Sequence, residues 1–152
     1  MKKTISTPFP YGSPEDFDQA SMEEISRNIR EQGIELVEIH DSAHEDYLPF
    51  VYTIGLKARS GKELIAFGDD ESDLKEIGDL FLSLARRDDA VRPGEHFHEG
   101  PRTLIAAIPD SELDDFLQEH CLNEARAYYG VDRVDVLVFV EEGELEQSSG
   151  TH

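Results

Sequence analysis

Two short apolar segments lie close together in the first half of the chain, at residues 49–56 and 63–68. Both are rich in aromatic and β-branched residues and are bounded by polar turn residues, a pattern typical of β-strands. The six residues between them are mostly polar and include a glycine, which is typical of a hairpin connection. The sequence therefore predicts a β-hairpin whose apolar faces must be covered by other elements. Alternation along the first strand places four side chains on one face: Phe50, Tyr52, Ile54 and Leu56.

The spacing of apolar residues predicts three helices and further strands around this hairpin. The order of elements is α-β-β-β-α-β-β-α-β, and consecutive strands mostly follow one another as hairpins. This order favours an α+β fold, with a single antiparallel or mixed sheet of about six strands and helices packed on it, over a doubly wound parallel sheet. We expect an extended arm at residues 1–20, a single domain at 21–143 and a disordered tail at 144–152.

The chain is strongly acidic, with 34 acidic against 14 basic residues and a net charge of −20 over 152 residues. This balance disfavours binding to nucleic acid or to an anionic membrane through phosphates. A cation-binding face or a nucleic-acid mimic is one interpretation, but the acids are scattered, which favours a simple solubilising role. We expect a small molecule or protein partner, no nucleic acid and no membrane; the oligomeric state is open.

The cysteine content and the N-terminal residues bear on the compartment. Cys121 is the only cysteine, so no disulfide forms within the chain, and its place in a helical stripe favours a small buried residue over a nucleophile. No signal peptide is expected at the N-terminus, and no run approaches the roughly 18 apolar residues that a membrane span needs. These features predict a cytoplasmic protein.

One group of candidate functional residues lies in the hairpin itself. Glycines in strands allow the close approach of a ligand or of another backbone, and tyrosine and threonine hydroxyls orient polar groups. The alternative is a packing role, because glycines at strand ends also make turns. The candidate ligand-binding residues are Tyr52, Thr53, Gly55, Glu63 and Gly68.

A second candidate is a metal site at His96 and His98. Two strand residues separated by one project from the same face, so both imidazoles can meet one divalent ion, with His40 as a further ligand. Solvated histidines on a hairpin edge are the favoured alternative, because neither an HExxH pattern nor a cysteine pair is present. The sequence thus identifies no cofactor, and a divalent metal is an alternative that it does not favour.

The hairpin resembles a bacterial domain-of-unknown-function family, number forty-two sixty-two. Its members carry an aromatic strand of the form Pro-Phe-x-Tyr-Thr-Ile-Gly-Leu, then a short loop and a strand that begins with an acid and closes in glycine. The matching positions here are Pro49, Phe50, Tyr52, Thr53, Ile54, Gly55, Leu56, Glu63 and Gly68.

Weaker similarity extends the likeness to residues 33–143, through Gly94, Gly100 and the segment 127–130. Lys62 stands where the family often has proline, and residues 138–143 lack the family's tryptophan. The resemblance implies a compact domain and no assigned reaction.

Three hypotheses for function follow. The first is a ligand- or partner-binding module that uses the Tyr52–Gly68 hairpin. The second is a metal-dependent hydrolase in which His96 and His98 hold an ion that activates water. The third is an acidic inhibitor or immunity-type protein that binds a basic partner through charge.

Overall fold

The structure is a computed structural model, and it describes residues 19–39, 49–99 and 102–142. Most of the expected arm at 1–20, the expected tail at 144–152 and the candidate ligand His40 lie outside these ranges. In the described part of the chain, no helix combines the length and apolarity that crossing a membrane requires.

The described residues form helices and strands in the predicted order, with two additional helical segments. The helices are α1 (Gln19–Gln32), α2 (Lys57–Ser60), α3 (Glu71–Ala85), α4 (Ser111–His120) and α5 (Asn123–Tyr129). The strands are β1 (Glu35–Ile39), β2 (Phe50–Ile54), β3 (Glu63–Phe67), β4 (His96–Glu99), β5 (Arg102–Ala107) and β6 (Val136–Glu141).

The six strands form one mixed sheet in the order β1-β2-β3-β6-β5-β4. Neighbouring strands are antiparallel except β3 and β6, which run parallel with Ile65 opposite Val138. The predicted hairpin is present: β2 pairs antiparallel with β3, and Tyr52 lies opposite Ile65. The predicted α+β class with a mixed sheet is therefore confirmed.

Helices cover the sheet on both faces. Residues of α3, including Leu74, Ile77 and Phe81, pack on one face against Val51 and Leu64. Residues of α1, α4 and α5 pack on the other face, where the buried strand residues include Phe50, Tyr52, Ile54, Ile65 and Val138. Because apolar side chains project from both faces of the central strands, each face requires its own helical layer.

Two details differ from the sequence prediction. The single helix expected before Gly130 is two helices, because Leu122 leaves helical geometry (φ −103°, ψ 26°) while its side chain stays fully buried. Leu56 was predicted on the face of Tyr52, but it packs in the α3 layer. The strand ends at Ile54, and Gly55 with φ +128° redirects the chain before Leu56.

Candidate functional site

The carboxylate of Glu63, at the start of β3, is completely buried and accepts hydrogen bonds from the hairpin connection. Its Oε1 accepts from the Thr53 hydroxyl at 2.7 Å and from the Leu56 amide at 3.1 Å. Its Oε2 accepts from the amides of Gly55 and Lys57, both at 3.0 Å. These bonds replace the water that the carboxylate gives up on burial, so the charge is tolerated inside the protein.

Tyr129, the last residue of α5, completes this network from a distant part of the sequence. Its hydroxyl donates to Oε2 of Glu63 and accepts from the Gly55 amide at 2.8 Å. Burial and the negative charge of Glu63 raise the pKa of the Tyr129 hydroxyl, so it stays protonated as a donor. The Lys57 ammonium lies 5.3 Å from the centre of the Tyr129 ring, within cation–π range. Tyr129 therefore ties α5 to the hairpin connection.

Gly55 is required at the centre of the network for two reasons. Its φ of +128° lies in the region that favours glycine. A Cβ at this position would lie 3.1 Å from Cγ1 of Ile29 and 3.2 Å from the carbonyl oxygen of Gly33. Any larger residue would therefore be strained and would also push α1 away from the hairpin.

The network fixes the position of α2. Leu56 is the N-cap residue of this helical turn, and its amide and the two beside it all bind Glu63. On the far side, the Arg59 guanidinium donates to the carbonyl oxygens of Ala85 and Arg87 at the end of α3. The turn is thus held both by the sheet and by α3.

A recess lies beside α2, between the start of β3 and the residues that follow α3, with a cavity volume of about 40 Å³. It has apolar lining residues at its base and polar ones at its rim. The apolar residues are Leu56, Leu64, Leu84, Val91 and Leu137. The polar residues are Arg59, Ser60, Lys62, Asp88 and Asp89. We call this the α2 recess.

The five predicted ligand-binding residues do not lie together. Thr53, Gly55 and Glu63 meet in the buried network, where they bind one another and support α2. Tyr52 lies in the core beneath α5, and its hydroxyl accepts from the Ala125 amide at 3.3 Å. Gly68 lies at the opposite end of β3. Their role in ligand binding stays a prediction.

Gly68 borders a second recess, of about 150 Å³, where the carboxyl ends of the parallel strands β3 and β6 meet. Arg102 lies at its edge, 3.6 Å from an oxygen of Asp73, 3.3 Å from Glu76 and 3.5 Å from Glu141. These ion pairs are partly exposed, and three carboxylates surround one guanidinium. We call this the Arg102 cluster.

The two candidate metal ligands in the described chain lie on the edge strand β4 and are exposed. Nε2 of His96 is 3.9 Å from Oε2 of Glu142, and Nδ1 of His98 is 3.2 Å from Oγ1 of Thr103. Within residues 19–39, 49–99 and 102–142, no group of three or more histidine, cysteine or acidic side chains is arranged to hold a metal ion. The metal site stays a prediction, with its proposed ligand His40 outside those ranges.

Cys121 is buried, with 4% of its surface exposed. Burial raises the pKa of its thiol to about 12, so the reactive thiolate is scarce at neutral pH. This environment suits the packing role that its sequence position predicts.

Sequence reasoning missed the role of Tyr129 and the two cations at the recess, Arg59 and Lys62. The tyrosine is 66 residues from its partner Glu63, so no local pattern connects them. The sequence does contain a pattern that indicates the two cations. The connection 57–62 contains three basic residues and no acid, in a chain with 34 acids.

The fold and the network together define a class: an α+β domain with a six-stranded mixed sheet, whose central hairpin is closed by a buried carboxylate. The family model for the Domain of unknown function (DUF4262) matches residues 28–144. The chain belongs to this family, as the hairpin residues indicated. No curated protein and no solved structure matches the chain.

Proposed function

We propose that this protein is a binding module that holds a small molecule in the α2 recess. The proposal rests on the composition of this recess, which combines an apolar base with a polar rim beside the hairpin connection. Ligand sites generally have this composition, with apolar walls for affinity and a few polar groups that fix orientation.

The wall of the recess is held in place before any ligand arrives. Glu63 fixes the amides that lead into α2, and Arg59 fixes the same turn to the end of α3. A rigid wall supports binding, because little conformational entropy is lost when the ligand enters. In this proposal the signature residues of the hairpin form the support, and the side chains of the following turn contact the ligand.

The volume of the recess limits the size of the group that it can bind. A cavity of about 40 Å³ accommodates one short apolar group, with the rest of the ligand at the rim. We therefore propose a ligand that inserts a short aliphatic end against Leu56 and Leu84, the leucines of the base that keep the most exposed surface.

Two other functions predicted from the sequence have less support. A metal-dependent hydrolase rests on His96 and His98, which lack a third ligand within the described ranges. An acidic inhibitor rests on the net charge alone. Among the described residues, no specific geometric feature supports either of these functions.

The test is to fill the recess. Val91→Phe places a larger side chain at its lining, and Ile108→Phe is the matched control at an isoleucine that is 66% exposed. Small aliphatic compounds are screened by ¹H–¹⁵N NMR spectroscopy. We expect shifts centred on the amides of residues 60–64 in the wild-type protein and in Ile108→Phe, and their loss in Val91→Phe.

Two results would contradict the proposal. One is a screen in which no compound shifts these amides. The other is an unchanged response in a Val91→Phe protein whose spectrum shows that it is folded.

A further inference from the structure

The basic residues of this acidic chain are concentrated around the α2 recess. The two segments that supply most of its lining, residues 56–64 and 84–91, contain five of the 14 basic residues and three of the 34 acidic ones. The recess thus lies in a locally basic region of a protein with a net charge of −20. Such a local reversal of sign attracts anions to one part of the surface.

Among the residues that the structure describes, no carboxylate binds either of two cations at the rim. The Arg59 guanidinium donates to two backbone carbonyls at the end of α3, which carry only partial negative charge. Lys62 is half-buried at the rim, and the ion pairs formed within the described ranges do not include it. The Lys62 ammonium is therefore available to a ligand, whereas Arg59 contributes positive charge from the position that its bonds to the end of α3 fix.

The acids at the same rim offset these charges only in part. Asp88 and Asp89 are exposed to solvent, which screens them.

We infer that the ligand of the α2 recess is a short aliphatic carboxylate, an inference that rests on the proposed function. The aliphatic end contacts the leucines at the base, and the carboxylate lies at the rim beside Lys62. A lysine binds such a group as a point charge, so orientation comes from the apolar base rather than from a bidentate pair.

The experiment compares three probes of equal chain length, butyrate, 1-butanol and n-butylamine, with inorganic phosphate as a fourth probe that is an anion without an aliphatic part. Each is titrated at low ionic strength into the wild-type protein, Lys62→Met and Lys75→Met, and binding is followed by ¹H–¹⁵N NMR spectroscopy. Lys75, whose side chain is 79% exposed on α3, is the matched control. We expect butyrate to bind most tightly and butylamine most weakly.

Lys62→Met should weaken the binding of butyrate by up to about fivefold, the range of a partly exposed ion pair, and leave butanol unchanged. Lys75→Met should change neither. Equal affinity for butanol and butyrate, an unchanged affinity in Lys62→Met, or tighter binding of inorganic phosphate than of butyrate would overturn the inference and leave the proposed function standing. If no probe shifts the recess amides, or if the shifts persist in Val91→Phe, the proposed function fails together with the inference.

Discussion

The two ends of strand β3 hold charge in opposite ways. At its beginning, the single carboxylate of Glu63 is completely buried, and three backbone amides and two hydroxyls donate to it. Beyond its other end, the guanidinium of Arg102 lies among three partly exposed carboxylates at 3.3–3.6 Å. The first arrangement depends on the backbone of the hairpin, and the second on side chains that water and salt can reach.

The two arrangements contribute unequally to the stability of this fold. A buried ion with fixed partners is costly to disturb, because the donors around it cannot turn to water. An exposed group of ion pairs contributes little, because solvent screens it and its side chains lose entropy when ordered. The loss in the free energy of unfolding should therefore be several-fold larger for a substitution at the buried end than for one at the exposed end.

The largest effect is expected for Glu63→Gln. The amide keeps the volume of the side chain but presents a donor to the surrounding donors, so we expect a loss of about 3 kcal/mol or more in the free energy of unfolding. Urea denaturation measures it, with Glu76→Gln as the control at a carboxylate that is 54% exposed in the Arg102 cluster. Similar losses for the two variants would remove the contrast between the two ends.

The next effect concerns the backbone at the buried end. Gly55→Ala should lower the free energy of unfolding by about 2–3 kcal/mol, because φ is strained for alanine and the added Cβ has neighbours at 3.1 and 3.2 Å. Gly61→Ala is the control, since φ there is also positive, at +87°, and nothing lies within 4 Å of the added Cβ. It should cost about 1 kcal/mol. Thermal unfolding compares them, and equal losses would show that close packing at Gly55 contributes nothing.

An intermediate case is the Arg87–Glu95 pair, in which the two terminal guanidinium nitrogens donate to the carboxylate at 2.6 and 3.2 Å. The hydrogen bond from Arg87 lowers the pKa of Glu95. The contribution of this carboxylate is therefore fully present above its unfolded pKa and is lost as pH falls through the lower folded value.

The variant Glu95→Gln tests this. It should be less stable than the wild-type protein by about 1 kcal/mol at pH 7, and the difference should shrink as pH falls below about 4.5. Urea denaturation from pH 7 to pH 3 measures the difference. A gap that stays constant across this range would mean that ionisation of Glu95 does not stabilise the fold.

The smallest effect is expected for Arg102→Gln. Its three partners are exposed by 25%, 54% and 46%, so we expect a loss below about 1 kcal/mol that shrinks further in 1 M salt. Denaturation at low and high salt measures it, and Arg133→Gln is the control, at an arginine that lies between two carboxylates and is 52% exposed. A large loss in the free energy of unfolding that salt does not change would show that the Arg102 cluster stabilises the fold in the same way as the buried network at Glu63.

The local parts of this structure could be predicted from the sequence. Alternation in β2 correctly placed Phe50, Tyr52 and Ile54 in one layer, because a strand of this composition leaves little choice of face. The same pattern failed at Leu56, because the positive φ of Gly55 ends the alternation, and a sequence does not reveal which strand glycine will turn the chain.

The parts that depend on distant residues could not be predicted. Thr53, Gly55 and Glu63 were grouped because they lie within one hairpin, and they do meet. Tyr129 reaches them only because α5 packs across the sheet, and the α2 recess exists only because the end of α3 lies beside the hairpin connection. Such contacts follow from the packing of whole elements, and no spacing of residues records them.

The position of β6 has a consequence for how the molecule folds. The three strands β1, β2 and β3 are neighbours in sequence and in space, as are β4 and β5, so each set can assemble locally. Strand β6 comes last among the described strands, yet it lies between the two sets and joins them. Long-range pairing of this kind is slow, so we expect a ribosome-bound chain to carry two unjoined half-sheets, with exposed edges at β3 and β5, until β6 emerges.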